Sequence, residues 1–412
     1  MLEESVLHDQ LRTGLKSFSH HRLRFLDMSI TKQPTIASCD THTMGTSLHG
    51  YLGMKIDRDI LLQDWSSILV KGCHDRSAQT VCAKSEKTDK PFNFQRPTMH
   101  LDRTDKEKPK LEVLCFPGID YVEHYAAIVA TFLALNGKQT VAQAVRYTPP
   151  DAQASMVLLL SSNLANMGDV EVVVVGYVHG LSAGPWVGGD SADDIFAWKF
   201  LDQKSSGSQN QVRRVALLGC RVSFWGDIAG NLVRALYTLN KTKCILYIGK
   251  LGTIRPELEP NQWLASGSCS EIRGQTVTWK NVLDEATRSR DMIIQGKHFS
   301  LSTVLNESYQ WLQDHEGQFD FVDPDIGHMG TAANECGVAY GYLHIISDNL
   351  ASKYAYDLSN ERLQKVQNDR GRLIREIKQV LAGFFERWIS DKERAPSNQG
   401  EDAGSLLDSS LW

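Results

Sequence analysis

The chain has 412 residues with 42% hydrophobic and 23% charged positions, a composition that places it with folded globular proteins and excludes disordered and fibrous classes. Its formal net charge of −5 disfavours an extended nucleic-acid surface and leaves room only for a local basic pocket. The apolar runs, such as 171–178 and 244–248, are strand-sized and far below the roughly 20 residues a membrane helix needs, so no membrane span is expected.

The first 110 residues are mixed in character, with an amphipathic helix expected near 6–28 and an apolar run at 60–70. Acidic residues come early and no continuous apolar segment succeeds them, so no secretory signal is expected and a cytoplasmic location is. The eight cysteines form no CxxC pair and no close Cys/His spacing, which predicts reduced thiols, no disulfide framework and no metal site. LDRTDKEKPK, ending at Lys110, reads as a solvated connector. The expected organisation is therefore an extension over 1–110, an α/β domain over 111–390 and a disordered tail over 391–412 rich in Ser, Gly, Asn and acids.

After Lys110 the texture becomes regular. LEVLCF predicts a strand and 121–135 a helix that stops at Asn136-Gly137. EVVVVGY at 171–177, RRVALLG at 213–219 and KCILYIG at 243–249 read as buried strands that finish at or near glycine. A helix over 227–239 between the last two makes a parallel crossover unit, whose ligands belong at the strand carboxyl ends. YGYLHIIS at 340–347 predicts one more strand, ending in Asp348, and apolar residues from Leu363 to Trp388 at helical spacing predict an amphipathic closing helix.

The densest cluster of chemically useful residues is FDFVDPDIGHMGTAANECGVAYGYLHIISDN at 319–349, which resembles the purine nucleoside phosphorylase and nucleosidase superfamily. The matching pieces are Val322-Asp323-Pro324-Asp325, a small-residue helix over 330–336 and Ile345-Ile346-Ser347-Asp348. Upstream, Gly249-Lys250-Leu251-Gly252 is similar to the family's G-x-x-G loop. The resemblance implies a three-layer phosphorylase-like fold with a mixed, largely buried central sheet flanked by helices. It also implies cleavage of the N-glycosidic bond of a purine nucleoside or related compound, without a cofactor, by a homo-oligomer.

Breaking that bond leaves positive charge on the sugar and negative charge on the base, so groups must face both. By resemblance Asp348 protonates the base and is the catalytic residue. Asp325 holds the ribose hydroxyls, and Ser347, Gly249, Lys250, Gly252 and Asn349 complete the substrate site. The family's phosphate-binding arginines have no counterpart: Tyr247 stands at one position, and Phe116-Pro117-Gly118-Ile119-Asp120 supplies an acid at the other. Phosphate or water are therefore both open as nucleophile, with phosphate a possible co-substrate. His328 and His344 are expected to be packed residues rather than catalysts. Two other readings stand beside this one: a non-catalytic nucleoside-binding homologue, and a serine hydrolase using Gly180-Leu181-Ser182-Ala183-Gly184 as a nucleophile elbow.

Overall fold

The computed structural model describes residues 30–76, 80–82, 91–102, 108–201, 203–204, 212–213, 215–354 and 363–394. The helix expected near 6–28 and the tail from 395 lie outside them.

The elements run in chain order as helix α1 (Ser47–Lys55), strands β1 (Ser67–Gly72), β2 (Thr80–Val81), β3 (Thr98–Asp102) and β4 (Lys110–Cys115), then helices α2 (Ile119–Leu135) and α3 (Gln139–Gln143) and strand β5 (Val145–Thr148). Helix α4 (Ala154–Leu160), strands β6 (Val172–Gly176), β7 (Phe196–Phe200), β8 (Gln203–Lys204), β9 (Val212–Arg213) and β10 (Val215–Cys220), helix α5 (Asp227–Asn240) and strand β11 (Cys244–Thr253) continue the chain. Next come β12 (Leu264–Ser266), β13 (Cys269–Ile272), β14 (Gln275–Thr278), α6 (Asp284–Thr287), β15 (Ile293–Gln295), β16 (His298–Ser300) and α7 (Tyr309–His315). The chain then forms β17 (Phe321–Asp323), α8 (Ile326–Cys336), β18 (Ala339–Asn349) and α9 (Gln364–Arg394).

β6, β10, β11 and β18 are the predicted strands, and they form the parallel heart of an eleven-stranded mixed sheet in the order β10, β6, β11, β18. Their β-branched and leucine-rich runs are buried on both faces. Val173 and Val175 pack with Ile228, Leu232 and Met329 of α5 and α8, whereas Val172 and Val174 pack with Leu373, Ile377 and Phe384 of α9. Helices therefore cover both faces of a mixed sheet, giving the expected α/β layering.

β17 joins the opposite edge of β11 in antiparallel sense and leads to β16, β13 and β14, a run of three- and four-residue strands too short to show a period in sequence. Strands β1 and β3 are not separate from the chain after Lys110. β4 is hydrogen-bonded to β1 on one side and β3 on the other, so residues from Ser67 onward belong to the same five-stranded sheet as β4 and β5. A boundary at 110 cuts that sheet. None of the eight cysteines is in a disulfide.

Candidate active site

Two strand-to-helix turns meet head to head. β4 leads through Phe116-Pro117-Gly118 into α2, and β10 leads through Ser223-Phe224-Trp225-Gly226 into α5. Asp227, the first residue of α5, caps α2 from outside: its carboxylate accepts the backbone N–H groups of Ile119 at 3.1 Å and Asp120 at 3.0 Å. Gly226 has φ +61°, the left-handed region, and a Cβ there would lie 2.5 Å from Asp120 Cβ and Oδ2. Its N–H donates to Asp325 Oδ1 at 2.7 Å. Asp120 and Asp325, 205 positions apart in sequence by their numbering, thus flank one glycine.

Their electrostatic settings are opposed. Asp120 is 2% exposed, accepts Arg273 Nη2 at 2.7 Å on Oδ1 and lies 2.7 Å from His328 Nε2 on Oδ2. Burial works against ionisation, but His328 and Arg273 prevail and hold the carboxyl below its usual range. Asp325 also accepts the Tyr247 hydroxyl at 2.7 Å on Oδ2. Burial first, and then the charge of Asp323, push its carboxyl well above the usual range despite those two hydrogen bonds. Burial and the Asp120 charge likewise raise Asp227 and Glu123. Asp120 is favoured as a carboxylate while Asp325, Asp227 and Glu123 are shifted the opposite way, the pattern by which acid and base roles are separated.

This setting makes stability depend on pH through Asp120. Because its folded pKa is depressed, its stabilising contribution is present above the unfolded value and is lost as pH falls through the folded one. Asp120→Asn is expected to flatten the acid limb of stability below about pH 5, read as urea midpoints. A mutant limb as steep as that of wild type would show that the His328 and Arg273 contacts do not set this dependence.

Asp323 occupies the turn before α8. Its Oδ1 accepts the N–H groups of Asp325 at 2.7 Å and Ile326 at 2.9 Å, so the side chain caps the helix that carries Asp325. His298 Nε2 is 3.1 Å from Oδ1, and His344 Nε2 is 3.6 Å from Oδ2. His344 is packed as expected, edge-on to Tyr247, and burial lowers its pKa to about 4.

The remaining predicted residues are placed differently from expectation. Gly249, Lys250 and Gly252 are not in a loop: they lie inside β11, paired with His344, Ile345 and Asp348 of β18. The two glycines answer to neighbouring side chains, since a Cβ at Gly249 would meet His344 Nε2 at 2.6 Å and one at Gly252 would meet Asp348 Oδ2 at 2.8 Å. Lys250 alternates with Tyr247 and Leu251 to the other face of β11, where its ammonium lies 5.9 Å from the Tyr177 ring.

Ser347, Asp348 and Asn349 lie at the end of β18, within the strand. Ser347 donates to Asp348 Oδ1 at 2.6 Å. Asn349 is committed to backbone, donating to Arg255 O and Leu258 O and accepting from Ala351 and Ser352, so its amide holds a turn rather than a substrate. Asp348 faces Glu307, whose carboxyl is raised well above its usual range by burial and then by the Asp348 charge. Since β17 and β18 flank β11 on opposite sides, the chain segments carrying Asp325 and Asp348 approach from opposite sides of that strand.

A cavity of about 730 Å³, lined by Arg255, Ser268, Gln295, Lys297 and Asp320 among others, contains none of the predicted site residues. The elbow reading for Ser182 does not fit: β6 ends at Gly176 with no helix directly behind the GLSAG segment, and among the described residues Ser182 Oγ hydrogen-bonds the Ala183 carbonyl, at 3.3 Å, and no histidine. Among the described residues no cluster of His, Cys, Asp or Glu is arranged to hold a metal, and no helix is long and apolar enough to cross a membrane.

Sequence reasoning missed the roles of Asp120, Arg273 and His328. Asp120 carried a signal, an acid at a strand-to-helix turn, whereas the partners that define its state come from 153 and 208 positions away.

No family model matches the chain. A curated relative, an oxidoreductase named cns1 from Cordyceps militaris, is 25% identical over 177 residues, which are 40% of this chain and 21% of that protein. The match thus spans about a fifth of the relative's length. Among solved structures, the 5′-methylthioadenosine nucleosidase of Arabidopsis thaliana is similar at 12% identity and TM-score 0.39, over 54% of this chain and 99% of that one. The methylthioadenosine phosphorylase of Schistosoma mansoni in complex with tubercidin is similar at 12% identity and TM-score 0.38, over 54% and 93%.

Proposed function

We propose that the chain hydrolyses the N-glycosidic bond of a purine nucleoside or related compound, with Asp325 as general acid and Asp120 as general base toward water. The observation that carries this reading is the pair of carboxyls flanking Gly226, one held ionised by His328 and Arg273 and the other raised by burial. In the proposed step the Asp325 O–H proton goes to the departing base as the C–N bond breaks. A water oxygen bonds the sugar carbon and gives its proton to Asp120.

Water is preferred to phosphate because the immediate surroundings are acidic. Asp120, Glu123, Asp227 and Asp325 are gathered around Gly226 and the start of α2, and the arginine among them, Arg273, is already paired with Asp120. Lys32 acts on Glu123. A phosphate dianion would meet the Asp120 carboxylate, of its own sign, with Arg273 already committed to it. Incubation with purine nucleosides should release free base and free sugar at a rate independent of added phosphate. Sugar 1-phosphate as product, with strict phosphate dependence, would replace hydrolysis by phosphorolysis.

The resemblance gives the acid role to Asp348. In this fold the raised carboxyl beside Asp348 is that of Glu307, and β18, which carries Asp348, lies on the other side of β11 from β17 and the segment carrying Asp325. Asp348→Asn is therefore expected to lower base release less than Asp325→Asn does. An equal or larger loss would return the acid role to Asp348.

A second reading has one observation in its favour. The Tyr247 hydroxyl and the Gly226 N–H already occupy both oxygens of Asp325, the arrangement of a pocket kept for binding without turnover. Saturable nucleoside binding with no base release would support it against the hydrolase.

A further inference from the structure

Beneath Asp325 lies a buried polar column that the proposed reaction does not use directly. Ser270, His298 and Asp323 come from β13, β16 and β17, three adjacent strands in parallel register, with Ser270 opposite His298 and Ser300 opposite Asp323. Ser270 Oγ is 2.9 Å from His298 Nδ1, and His298 Nε2 is 3.1 Å from Asp323 Oδ1. Ser270 is 1% exposed, His298 0% and Asp323 6%, so water does not screen the contact.

The order serine, histidine, aspartate here is not a nucleophile's. Ser270 Oγ packs against Gly327 in the first turn of α8, where a Cβ would be 2.7 Å away, and no substrate reaches it. The direction of influence runs the other way, toward Asp323 and the helix it caps. A carboxylate facing an imidazole needs an N–H there, which places the proton on Nε2 and leaves Nδ1 to accept from the Ser270 hydroxyl. The Nε2 contact to Asp323 is short but poorly aligned for a hydrogen bond, so its effect is largely electrostatic. With the Asp325 and Ile326 N–H groups on the same oxygen, His298 keeps the negative charge on Asp323.

Two residues further on, Asp325 has no cationic hydrogen-bond or ion-pair partner among the described residues. The groups that face it are the Asp323 and Asp120 carboxyls, the hydroxyls of Tyr247 and Tyr340, and the Gly226 N–H. Those facing Asp323 are His298, His344, Asp325 and the hydroxyls of Tyr247, Tyr340 and Tyr342. Like charges in one buried site do not both ionise, and the one with the better hydrogen-bond donor partners keeps the charge.

Resting on the reading of Asp325 as acid, we propose that His298 is a positioning residue: it fixes the charge on Asp323 and thereby leaves the transferable proton on Asp325. Ser270 sets the ring orientation. His344, 3.6 Å from the other oxygen and packed beside Tyr247, assists from the opposite side. Without His298 the shared proton moves to Asp323, and Asp325 becomes an ionised group unable to protonate a leaving base.

The test reads the proton directly, by the infrared carbonyl band of a protonated carboxylic acid at neutral pH in the full-length chain. In the wild-type background the difference band is expected to vanish with Asp325→Asn and to survive Asp323→Asn. In a His298→Ala background the dependence is expected to switch, the band now vanishing with Asp323→Asn. His298→Gln, which keeps a side-chain N–H, is expected to restore the wild-type pattern at least in part. If His298→Ala does not fold, Ser270→Ala leaves the ring in place and is expected to shift the pattern in the same direction.

The kinetic counterpart is the alkaline limb of base release. It should move roughly 1–3 pH units lower in His298→Ala, with kcat reduced and KM little changed. A band that tracks Asp325 in every background overturns the proposal. A switched band in a protein that releases no base refutes the hydrolase reading while leaving the positioning role intact.

Discussion

Asp325→Asn is expected to lower the rate of base release by about 100-fold to 10,000-fold, the range of a lost general acid, while the protein stays folded. An amide of the same shape still accepts the Gly226 N–H and offers an NH₂ toward the Tyr247 oxygen, so the local geometry persists. What it lacks is a proton that can leave. The stability effect has the opposite sign to that at Asp120. A carboxyl whose folded pKa is raised contributes most below its unfolded value near 3.9, and that contribution declines as pH rises toward the folded value. Above that range wild type carries a penalty that asparagine does not. The variant should therefore melt no lower than wild type near neutrality while being almost inactive, a stability–activity trade of the kind expected at a catalytic group. Urea midpoints and initial rates on the same samples provide the check. Activity within a few-fold of wild type would remove Asp325 from the acid role.

How much of this was open to the sequence varies with the physical signal. Val172 to Val175, Val215 to Leu218 and Cys244 to Ile248 are buried on both faces, and continuous apolar runs bounded by glycine announce such strands. The closing helix was equally legible, because Leu373, Ile377, Val380 and Phe384 repeat at helical spacing against one sheet face. By contrast, β12, β15, β16 and β17 have three residues each, which is less than two periods of alternation. Gly249 and Gly252 misled for a related reason: glycine at two positions reads as a turn, yet here it makes room in a strand for His344 and Asp348.

The site was legible in part. Asp325 stood out as an acid before a small-residue helix, and Tyr247 as a departure from the family pattern. That the two hydrogen-bond each other, or that Asp120 reaches the same glycine, depends on the order of strands in the sheet. No local pattern encodes that order.

Gly226→Ala is expected to disrupt both fold and site more than any other single methyl at this turn. Two costs combine. The left-handed φ of +61° strains a residue with a Cβ by about 1–2 kcal/mol. The added carbon would lie 2.5 Å from the Cβ and Oδ2 of Asp120, and it cannot be relieved by a free rotation of that side chain, because Arg273 and His328 hold its two oxygens. Relief must come from the backbone of the turn, which moves the Gly226 N–H off Asp325 or lifts Asp120 from its partners. The total destabilisation is then roughly 2–5 kcal/mol, with the steric part at the scale of an overpacked core.

Chemical denaturation should show a lower midpoint at unchanged slope, and base release should fall further than the folded fraction does. Gly53, which has no heavy atom within 4 Å of its own Cβ direction, is the internal control: alanine there should leave both quantities close to wild type. If Gly226→Ala and Gly53→Ala behave alike, the close approach of Asp120 and Asp325 around Gly226 is not the constraint that organises the site, and the acid–base pair loses its structural basis.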